Sequence, residues 1–300
     1  MPTRPIPIAA LAAASYVAPR LVALFFRRLM LNPRRHVQPP PVLALPAADE
    51  RMDLGDGLVA WRWGRGPTVL LVHGFEGNRA QFGAIIDALL ARSFAAVALD
   101  VPAHGESAGR ELTAVKFVAA IKRAIERLGP VHAVIGHSMG AAMSLFTVAH
   151  HGGAGRVALV SAPSALHREL RRFAGAVGLS ERGTAAFIAS VENRVGRPAT
   201  DFDVRHITSK FDLPVLLIHD QNDRQIPVAE ANRSARALPT ADLMVTRGLG
   251  HNRLLADKAV VAAIVGFVAG SGDDGKGLDL VSVGNLAAED RIVELHLEAR

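Results

Sequence analysis

From residue 58 onward the chain repeats one hydropathy pattern, in which a short, wholly apolar run precedes a longer amphipathic stretch. A run that is apolar at every position is typical of a strand that is covered on both faces of a sheet. The runs predict strands over Leu58–Trp63, Val69–Val72, Ala95–Leu99, Val131–Ile135, Val157–Val160, Val215–Ile218 and Leu243–Val245. The amphipathic stretches predict helices over Ala80–Ala91, Thr113–Leu128, Met139–His150, Val228–Leu238 and Leu254–Ala269.

The alternation of strands and helices predicts the α/β fold class, with a mainly parallel central sheet and helices on both of its faces. Residues 163–213 interrupt the rhythm, because they separate two predicted strands by several times the length of an ordinary connection. Helical patterns over His167–Val177 and Arg182–Val195 lie inside this interval. We expect it to form a helical lid over the strand ends; the alternative is a structural excursion remote from the site.

Positive charge is concentrated before the predicted sheet. The formal net charge is +6 and the pI is near 10.4, yet six of the 34 lysines and arginines precede the first acidic residue, Asp49. The remaining 28 basic residues balance the 28 acidic ones, so the body of the protein is not expected to bind nucleic acid. The chain has no cysteine, which excludes disulfides, thiolate catalysis and cysteine-ligated zinc.

The segment from residue 8 to residue 31 is strongly apolar, but its longest uncharged run, from Pro5 to Pro19, is too short to cross a bilayer. Helical spacing over Ser15–Leu31 predicts an amphipathic helix with three arginines on one face and six apolar residues on the other. These residues are Arg20, Arg27 and Arg28, opposite Leu21, Val22, Phe25, Phe26, Leu29 and Met30. Such a helix is expected to contact an anionic membrane surface. The alternatives are a helix packed on the domain and a secretory signal.

A run of three prolines at residues 39–41 predicts a stiff linker between this segment and the sheet. The predicted organisation is a basic amphipathic segment with its proline-rich linker (1–45), an α/β domain (46–270) and a C-terminal tail (271–300) that could be a strand, a short helix or a partner contact. The predicted location is cytoplasmic or peripheral at the membrane, and the signal interpretation leaves secretion open. The sequence predicts no particular oligomeric state.

Ser138 lies in the pattern G-x-S-x-G, which Gly136 opens and Gly140 closes, between a predicted buried strand and a predicted helix. A serine at a strand-to-helix hinge adopts a strained backbone that lifts its hydroxyl above the sheet. The residues two positions away on either side must then be very small, and both are glycine. The position at a helix N-terminus also favours negative charge developing on the serine. The alternative is a glycine-rich turn with an incidental serine.

A serine nucleophile needs a base at neutral pH, and the base needs an orienting carboxylate. His251 follows the last predicted strand and supplies the candidate base. Asp223 follows the preceding strand and is the candidate acid, with Asp220, three residues closer to that strand, as its rival.

Three further histidines lie near strand ends: His73, His104 and His219. His73 is expected to hold loop backbone rather than to catalyse, and His104 is expected to stabilise its own turn. No compact spacing of metal-ligating residues such as H-E-x-x-H occurs. We therefore predict neither a metal site nor a cofactor.

Five segments at strand ends, in this order, resemble the α/β-hydrolase superfamily, and the likeness spans about residues 45 to 270. They are His73-Gly74-Phe75, Asp100-Val101-Pro102-Ala103-His104-Gly105-Glu106-Ser107, the Ser138 turn, Asp223-x-x-Ile226-Pro227 and Gly250-His251. The most similar group is the bacterial serine hydrolases described as esterases or lysophospholipases. Ala103 replaces the glycine that is usual in the second segment, which affects a scaffold turn rather than the chemistry.

The resemblance implies that Ser138 is the nucleophile, His251 the base and Asp223 the acid. It further implies that the backbone N–H groups of Phe75 and Met139 form an oxyanion hole. The expected function is hydrolysis of a small-molecule acyl ester through an acyl-enzyme intermediate. Thioester cleavage, carbon–carbon hydrolysis and acyl transfer can use the same three side chains, and a non-catalytic binding protein is a further alternative.

Overall fold

The computed structural model describes residues 8–34, 45–207 and 211–270. Within these residues eight strands form one sheet: β1 (Glu50–Gly55), β2 (Leu58–Trp63), β3 (Thr68–Val72), β4 (Ala95–Asp100), β5 (Ala133–His137), β6 (Val157–Val160), β7 (Val215–Asp220) and β8 (Ala241–Thr246). Their order across the sheet is β1-β2-β4-β3-β5-β6-β7-β8. Strands β3 to β8 are parallel, whereas β1 and β2 pair antiparallel with their neighbours. The predicted mainly parallel sheet is confirmed.

Helices cover both faces of the sheet. The described helices are α1 (Ile8–Val17), α2 (Pro19–Leu31), α3 (Gly83–Leu90), α4 (Ala114–Leu128), α5 (Met139–His151), α6 (Leu166–Ala176), α7 (Glu181–Val195), α8 (Ala229–Ala237), α9 (Gly250–Arg253) and α10 (Lys258–Ala269). One apolar core lies between the sheet and α4, α5 and α8, and a second lies between the opposite face and α3 and α10. The central strands are therefore largely apolar because both of their faces are buried.

Element bounds differ from prediction where a local feature overrides the apolar pattern. The predicted helix over Leu254–Ala269 begins later, at Lys258, because the Asp257 side chain caps α10 by accepting the backbone N–H groups of Ala259 and Val260. Strand β1 is not predicted at all. Half of its residues are exposed and charged, and it is held at the sheet edge by pairing with β2.

Helices α6 and α7 occupy the interval that the sequence predicts as a helical insert. Their inner faces form a third, smaller apolar core with α2, which includes Ala23, Phe26, Leu170 and Phe187. The insert is thus joined to the N-terminal helices as well as to the sheet. Its role as a lid stays a prediction.

The prediction of one continuous helix over Ser15–Leu31 is wrong. The chain breaks at Ala18, and Pro19 starts α2, where its missing N–H costs no helical hydrogen bond. The predicted separation of faces is also wrong, because Leu21, Phe25 and Leu29 are exposed together with Arg20 and Arg28. Arg27 instead turns toward α7 and donates to Ser190 Oγ at 3.3 Å. One face of α2 therefore packs on the insert, a contact that hydropathy spacing cannot anticipate.

No single helix in the described ranges is long and apolar enough to cross a membrane. Helices α1 and α2 pass that test of length and composition only as a pair, and a bend of 118° separates them. The predicted proline linker at 39–41 and the predicted tail at 271–300 lie outside the described residues. The predicted domain division at residues 45 and 270 accordingly stays a prediction.

Candidate active site

Ser138 is the hinge between β5 and α5. Its φ of +55° and ψ of −126° are unfavourable for a residue with a side chain, and such backbone strain typically stores about 1–3 kcal/mol. Neighbouring backbone holds the residue in place, since its N–H donates to the Val160 oxygen at 2.8 Å and its oxygen accepts from the Ala141 N–H at 3.0 Å. The predicted strand–hinge–helix arrangement is present.

The two glycines that flank the serine are required by close backbone approach. A Cβ atom on Gly136 would lie 2.4 Å from the Ala141 Cα atom, and one on Gly140 would lie 2.4 Å from the backbone oxygen of Val72. Real Cβ contacts are essentially never that short, so neither position accepts a side chain without backbone movement. The structure therefore confirms that the residues two positions before and after Ser138 must be very small.

Replacing Gly140 with alanine is expected to lower the free energy of unfolding by about 1–3 kcal/mol, because the added methyl group overlaps backbone at the end of β3. Gly266→Ala in α10 is the matched control, since a Cβ there meets nothing within 4 Å. That control is expected to raise stability by about 0.5–1 kcal/mol, because alanine favours a helix over glycine. Urea unfolding measures both variants, and equal free energies for the two would contradict the steric argument.

Asp223 and His251 are joined by a hydrogen bond, in which His251 Nδ1 donates to Asp223 Oδ2 at 2.7 Å. The other carboxylate oxygen accepts the backbone N–H groups of Gln225 at 2.8 Å and Ile226 at 2.9 Å. Burial acts to raise the pKa of Asp223, but the hydrogen bond from His251 and the two backbone donors outweigh it and hold that pKa below its ordinary value. With Nδ1 engaged as a donor, the lone pair of the neutral His251 ring lies on Nε2.

Asp220, the rival candidate for the acid, has other partners. Its Oδ2 atom accepts from Thr246 Oγ1 at 2.8 Å and from the Leu249 N–H at 3.0 Å. Burial acts to raise the pKa of Asp220, but backbone hydrogen bonds outweigh it and lower that pKa. Asp220 thus stabilises the loop that leads to His251, while Asp223 is the carboxylate that accepts a hydrogen bond from the His251 imidazole.

His137 is a buried residue at the site for which the sequence predicts no role. Its Nε2 donates to the backbone oxygen of His251 at 2.9 Å, and its Nδ1 pairs with Gln81 Nε2 at 3.1 Å. The two imidazole rings have centroids 4.8 Å apart. Burial, together with the charge of His251, lowers the pKa of His137 to about 3, so the ring stays neutral and keeps both hydrogen bonds. His137 therefore holds the His251 backbone beside the serine hinge.

The side chain of Ser138 forms no hydrogen bond with the His251 ring in this structure. Contacts between a nucleophile and its base often reach hydrogen-bond length only when substrate is bound. Across the described part of the chain, no group of three or more His, Asp or Glu side chains could hold a metal ion. The groups assembled at the strand ends are a strained serine, a carboxylate–imidazole pair and backbone donors.

Phe75 and Met139, whose N–H groups the resemblance predicts as an oxyanion hole, lie on two segments that border the serine. Met139 directly follows Ser138 as the first residue of α5. Gly74, which precedes Phe75, lies so close that a Cβ on it would be 2.9 Å from Ser138 Cβ and 3.4 Å from Oγ. Within residues 8–34, 45–207 and 211–270 neither N–H group donates to another protein group. Both are therefore able to donate to a ligand at the serine.

The loop after β3, which carries Phe75, is held by His73, which was expected to hold loop backbone, and by His104, which was expected to stabilise its own turn. The N–H of Glu76 donates to His104 Nε2 at 2.9 Å, and the N–H of Val101 donates to His73 Nε2 at 3.3 Å. Burial lowers the pKa of His73 to about 3, which keeps this ring a neutral acceptor.

Ala103 takes a φ of +67°, a left-handed conformation that costs a residue with a side chain about 1 kcal/mol.

A buried charged cluster ties the insert to the helix that follows the Asp223 turn. Arg172 pairs with Glu169 on α6 and, at 3.2 Å, with Glu230 on α8. The Ser164 hydroxyl and, at 2.8 Å, Arg233 also donate to Glu230. Burial raises the pKa of Glu169 to about 7 against the opposing charge of Arg172. The sequence carries no signal for this cluster, because its members lie on elements far apart in the chain.

Two family models match neighbouring stretches of the sequence. One is described as alpha/beta hydrolase fold and matches residues 67–187, and the other is described as TAP-like protein and matches residues 192–276. Together the two stretches cover more than half of the chain. A search of curated proteins finds no match.

Solved structures of several enzymes share the fold. An esterase from Pyrococcus furiosus is 22% identical, covers 80% of this chain and 97% of its own, and has a TM-score of 0.58. The thioesterase domain from the curacin biosynthetic pathway is 19% identical, with 75% and 100% covered and a TM-score of 0.56. A bromoperoxidase from Bacillus anthracis is 18% identical, with 73% and 99% covered and a TM-score of 0.56. These structures show the same fold as this chain, and the family matches show that the chain belongs to the α/β-hydrolase superfamily.

Proposed function

We propose that this protein is a serine hydrolase that cleaves acyl esters through a covalent acyl-enzyme intermediate. The observation that carries the proposal is the hydrogen bond from His251 to Asp223, which leaves Nε2 as the basic atom of a ring held beside the Ser138 hinge. A histidine that donates from Nδ1 to a buried carboxylate is fixed in one tautomer, and its charged form is stabilised.

In the first step of the proposed reaction, Ser138 Oγ attacks the carbonyl carbon of the ester. Its proton passes to His251 Nε2, and the carbonyl oxygen becomes an oxyanion. The tetrahedral intermediate then collapses, the bond to the alcohol oxygen breaks, and that oxygen takes the proton from Nε2. The products of this half-reaction are a free alcohol and an acyl group on Ser138.

In the second step, water replaces the alcohol. His251 Nε2 takes a proton from water as its oxygen attacks the acyl carbon, and the same proton returns to Ser138 Oγ as the carboxylic acid leaves. Asp223 keeps its negative charge throughout and balances the imidazolium formed in each half-reaction. This chemistry calls on no metal or cofactor.

The N–H groups of Phe75 and Met139 are proposed to receive the oxyanion in both steps. Loss of one such donor typically costs about 3–4 kcal/mol of transition-state stabilisation. Because both donors belong to the backbone, a side-chain substitution at either residue does not delete them. The loop contacts of His104 with Glu76 hold one of the two in place.

The insert of α6 and α7 is proposed as the lid that selects the acyl chain. It is bound to α8, just beyond the Asp223 turn, through Arg172 and Glu230. Thioester cleavage remains the second candidate, since a thioesterase domain is among the structures that share the fold. The same nucleophile, base and acid serve an ester or a thioester, so the leaving group must be determined by measurement.

Matched acyl esters and acyl thioesters, from acetyl to palmitoyl, test the proposal with the full-length protein. We expect esters to be hydrolysed with a higher kcat/KM than thioesters of the same acyl chain, with free acid and alcohol as products by mass spectrometry. Preference for the thioester, or transfer of the acyl group to an added alcohol in place of water, would contradict the ester assignment. No turnover of any substrate, together with no labelling by a fluorophosphonate probe, would indicate a binding protein.

A further inference from the structure

The N-terminal helices carry a concentrated apolar surface. In the described part of the chain eight large hydrophobic side chains are exposed, and six of them lie on or between α1 and α2: Tyr16, Val17, Leu21, Leu24, Phe25 and Leu29. We call these six residues the outer face. Leu21 is 71% exposed and Phe25 is 64% exposed, although folding normally buries large apolar side chains of this kind.

The opposite side of the same helices is fixed to the insert. Ala23 and Phe26 are buried against Phe187 of α7, and the Phe26 ring also meets Phe173 of α6. Ser15 is fully buried and accepts the backbone N–H of Ser180 at 2.9 Å. The outer face is therefore presented by a docked pair of helices, and no rearrangement is needed to expose it.

Positive charge lies on the same side of α2 as the outer face. Arg20 and Arg28 on α2 are exposed and have no ion-pair partner within the described ranges, and the Arg182 guanidinium lies 5.8 Å from the centre of the Tyr16 ring. Neither helix contains an acidic residue, since Asp49 is the first in the chain. An exposed apolar surface that also carries arginines matches the boundary between acyl chains and anionic headgroups.

We propose that the outer face docks on the surface of an anionic lipid bilayer. The helices contain 10 and 13 residues, lengths of about 15–20 Å, whereas a bilayer core is about 30 Å thick. With the bend of 118° between them, the pair is suited to lying in the interface rather than crossing it. A second copy of the chain is a poorer occupant, because a two-fold contact through this face would bring arginine near arginine with no helix acid to pair with them.

Bilayer docking brings the insert to the membrane, because α6 and α7 share the small apolar core with α2. The proposal goes beyond the proposed function and does not depend on it, since binding to a bilayer requires no turnover. Ser138→Ala is accordingly expected to bind vesicles as the wild type does.

Co-sedimentation of the full-length protein with vesicles tests the proposal. Wild type is expected to bind vesicles that contain phosphatidylglycerol more tightly than vesicles of phosphatidylcholine alone. The double variant Leu21→Asp with Phe25→Asp should lose about tenfold or more in affinity for the anionic vesicles. Arg20→Gln and Arg28→Gln should each lower that affinity about fivefold, the factor that corresponds to about 1 kcal/mol per charge near such a surface.

Val115→Asp and Arg65→Gln are the matched controls, because both residues are exposed and lie on segments other than α1 and α2. They should bind vesicles as the wild type does, and thermal unfolding should show that all variants are folded. Equal binding by wild type and the Leu21/Phe25 double variant would overturn the proposal. So would bound protein that resists alkaline carbonate, which identifies a spanning segment, or a lipid-free dimer that the double variant dissociates, which identifies a protein interface.

Discussion

Replacing Ser138 with alanine is expected to lower kcat for ester hydrolysis by about 10⁶-fold. The variant has no Oγ atom to form the acyl bond, so only direct attack by water remains, assisted by the backbone donors. KM should change little, because the methyl side chain leaves the walls of the site in place. Steady-state kinetics measure the loss, and a fluorophosphonate probe should label wild type and leave Ser138→Ala unlabelled.

Ser144→Ala is the control for this substitution. Ser144 lies on the same helix, is fully buried, and its hydroxyl has no hydrogen-bond partner in the described ranges. Its loss removes a serine hydroxyl near the hinge without touching the proposed chemistry, so labelling and kcat should match the wild type. Equal labelling of Ser138→Ala and wild type would remove Ser138 from the mechanism.

Asp223→Asn is expected to lower kcat by about 10⁴-fold while the fold stays intact. The asparagine amide can donate to His251 Nδ1, which moves the ring proton to Nε2 and leaves no lone pair to accept the serine proton. The negative charge that stabilises the imidazolium is also lost. Steady-state kinetics measure the fall in kcat, with thermal unfolding as the test that the variant is folded.

Asp257→Asn is the matched control for this variant. Oδ1 of Asp257 accepts two backbone N–H groups, as Oδ1 of Asp223 does, but its partners are the first residues of α10. Asparagine caps a helix about as well as aspartate, so this variant should keep both its stability and its kcat. A loss below about tenfold in Asp223→Asn would assign the acid to another residue, with Asp220 as the next to test.

Local steric and hydropathy requirements made most of the sheet predictable. The apolar run Val157–Val160 has the same bounds in the structure as in the sequence prediction. All four residues of this strand are buried, so the apolar run and the strand coincide. The Ser138 hinge was also predictable from local sequence, because the two glycines that it requires, at 136 and 140, lie within the same five residues as the serine.

Features that depend on distant partners were not predictable. The contact between His137 and the His251 backbone joins residues 114 positions apart, and a single sequence gives no sign of it. The inward turn of Arg27 depends on Ser190 of α7, which lies far from the N-terminal segment in the sequence. The helix break at Pro19, by contrast, has a local cause that the periodicity analysis overlooked. Asp220 and Asp223 both follow the same strand, and only the positions of the loops around them decide which carboxylate lies on the imidazole.

The order of the strands along the chain determines when the chemistry can begin. A ribosome releases Ser138 more than a hundred residues before His251, and β7 and β8 are among the last elements of the sheet to be made. A nascent chain that has folded only its first strands therefore carries the Ser138 hydroxyl without His251, the proposed acceptor of its proton. Under the proposed mechanism, the acyl reaction is therefore expected only after the final strand has been synthesised.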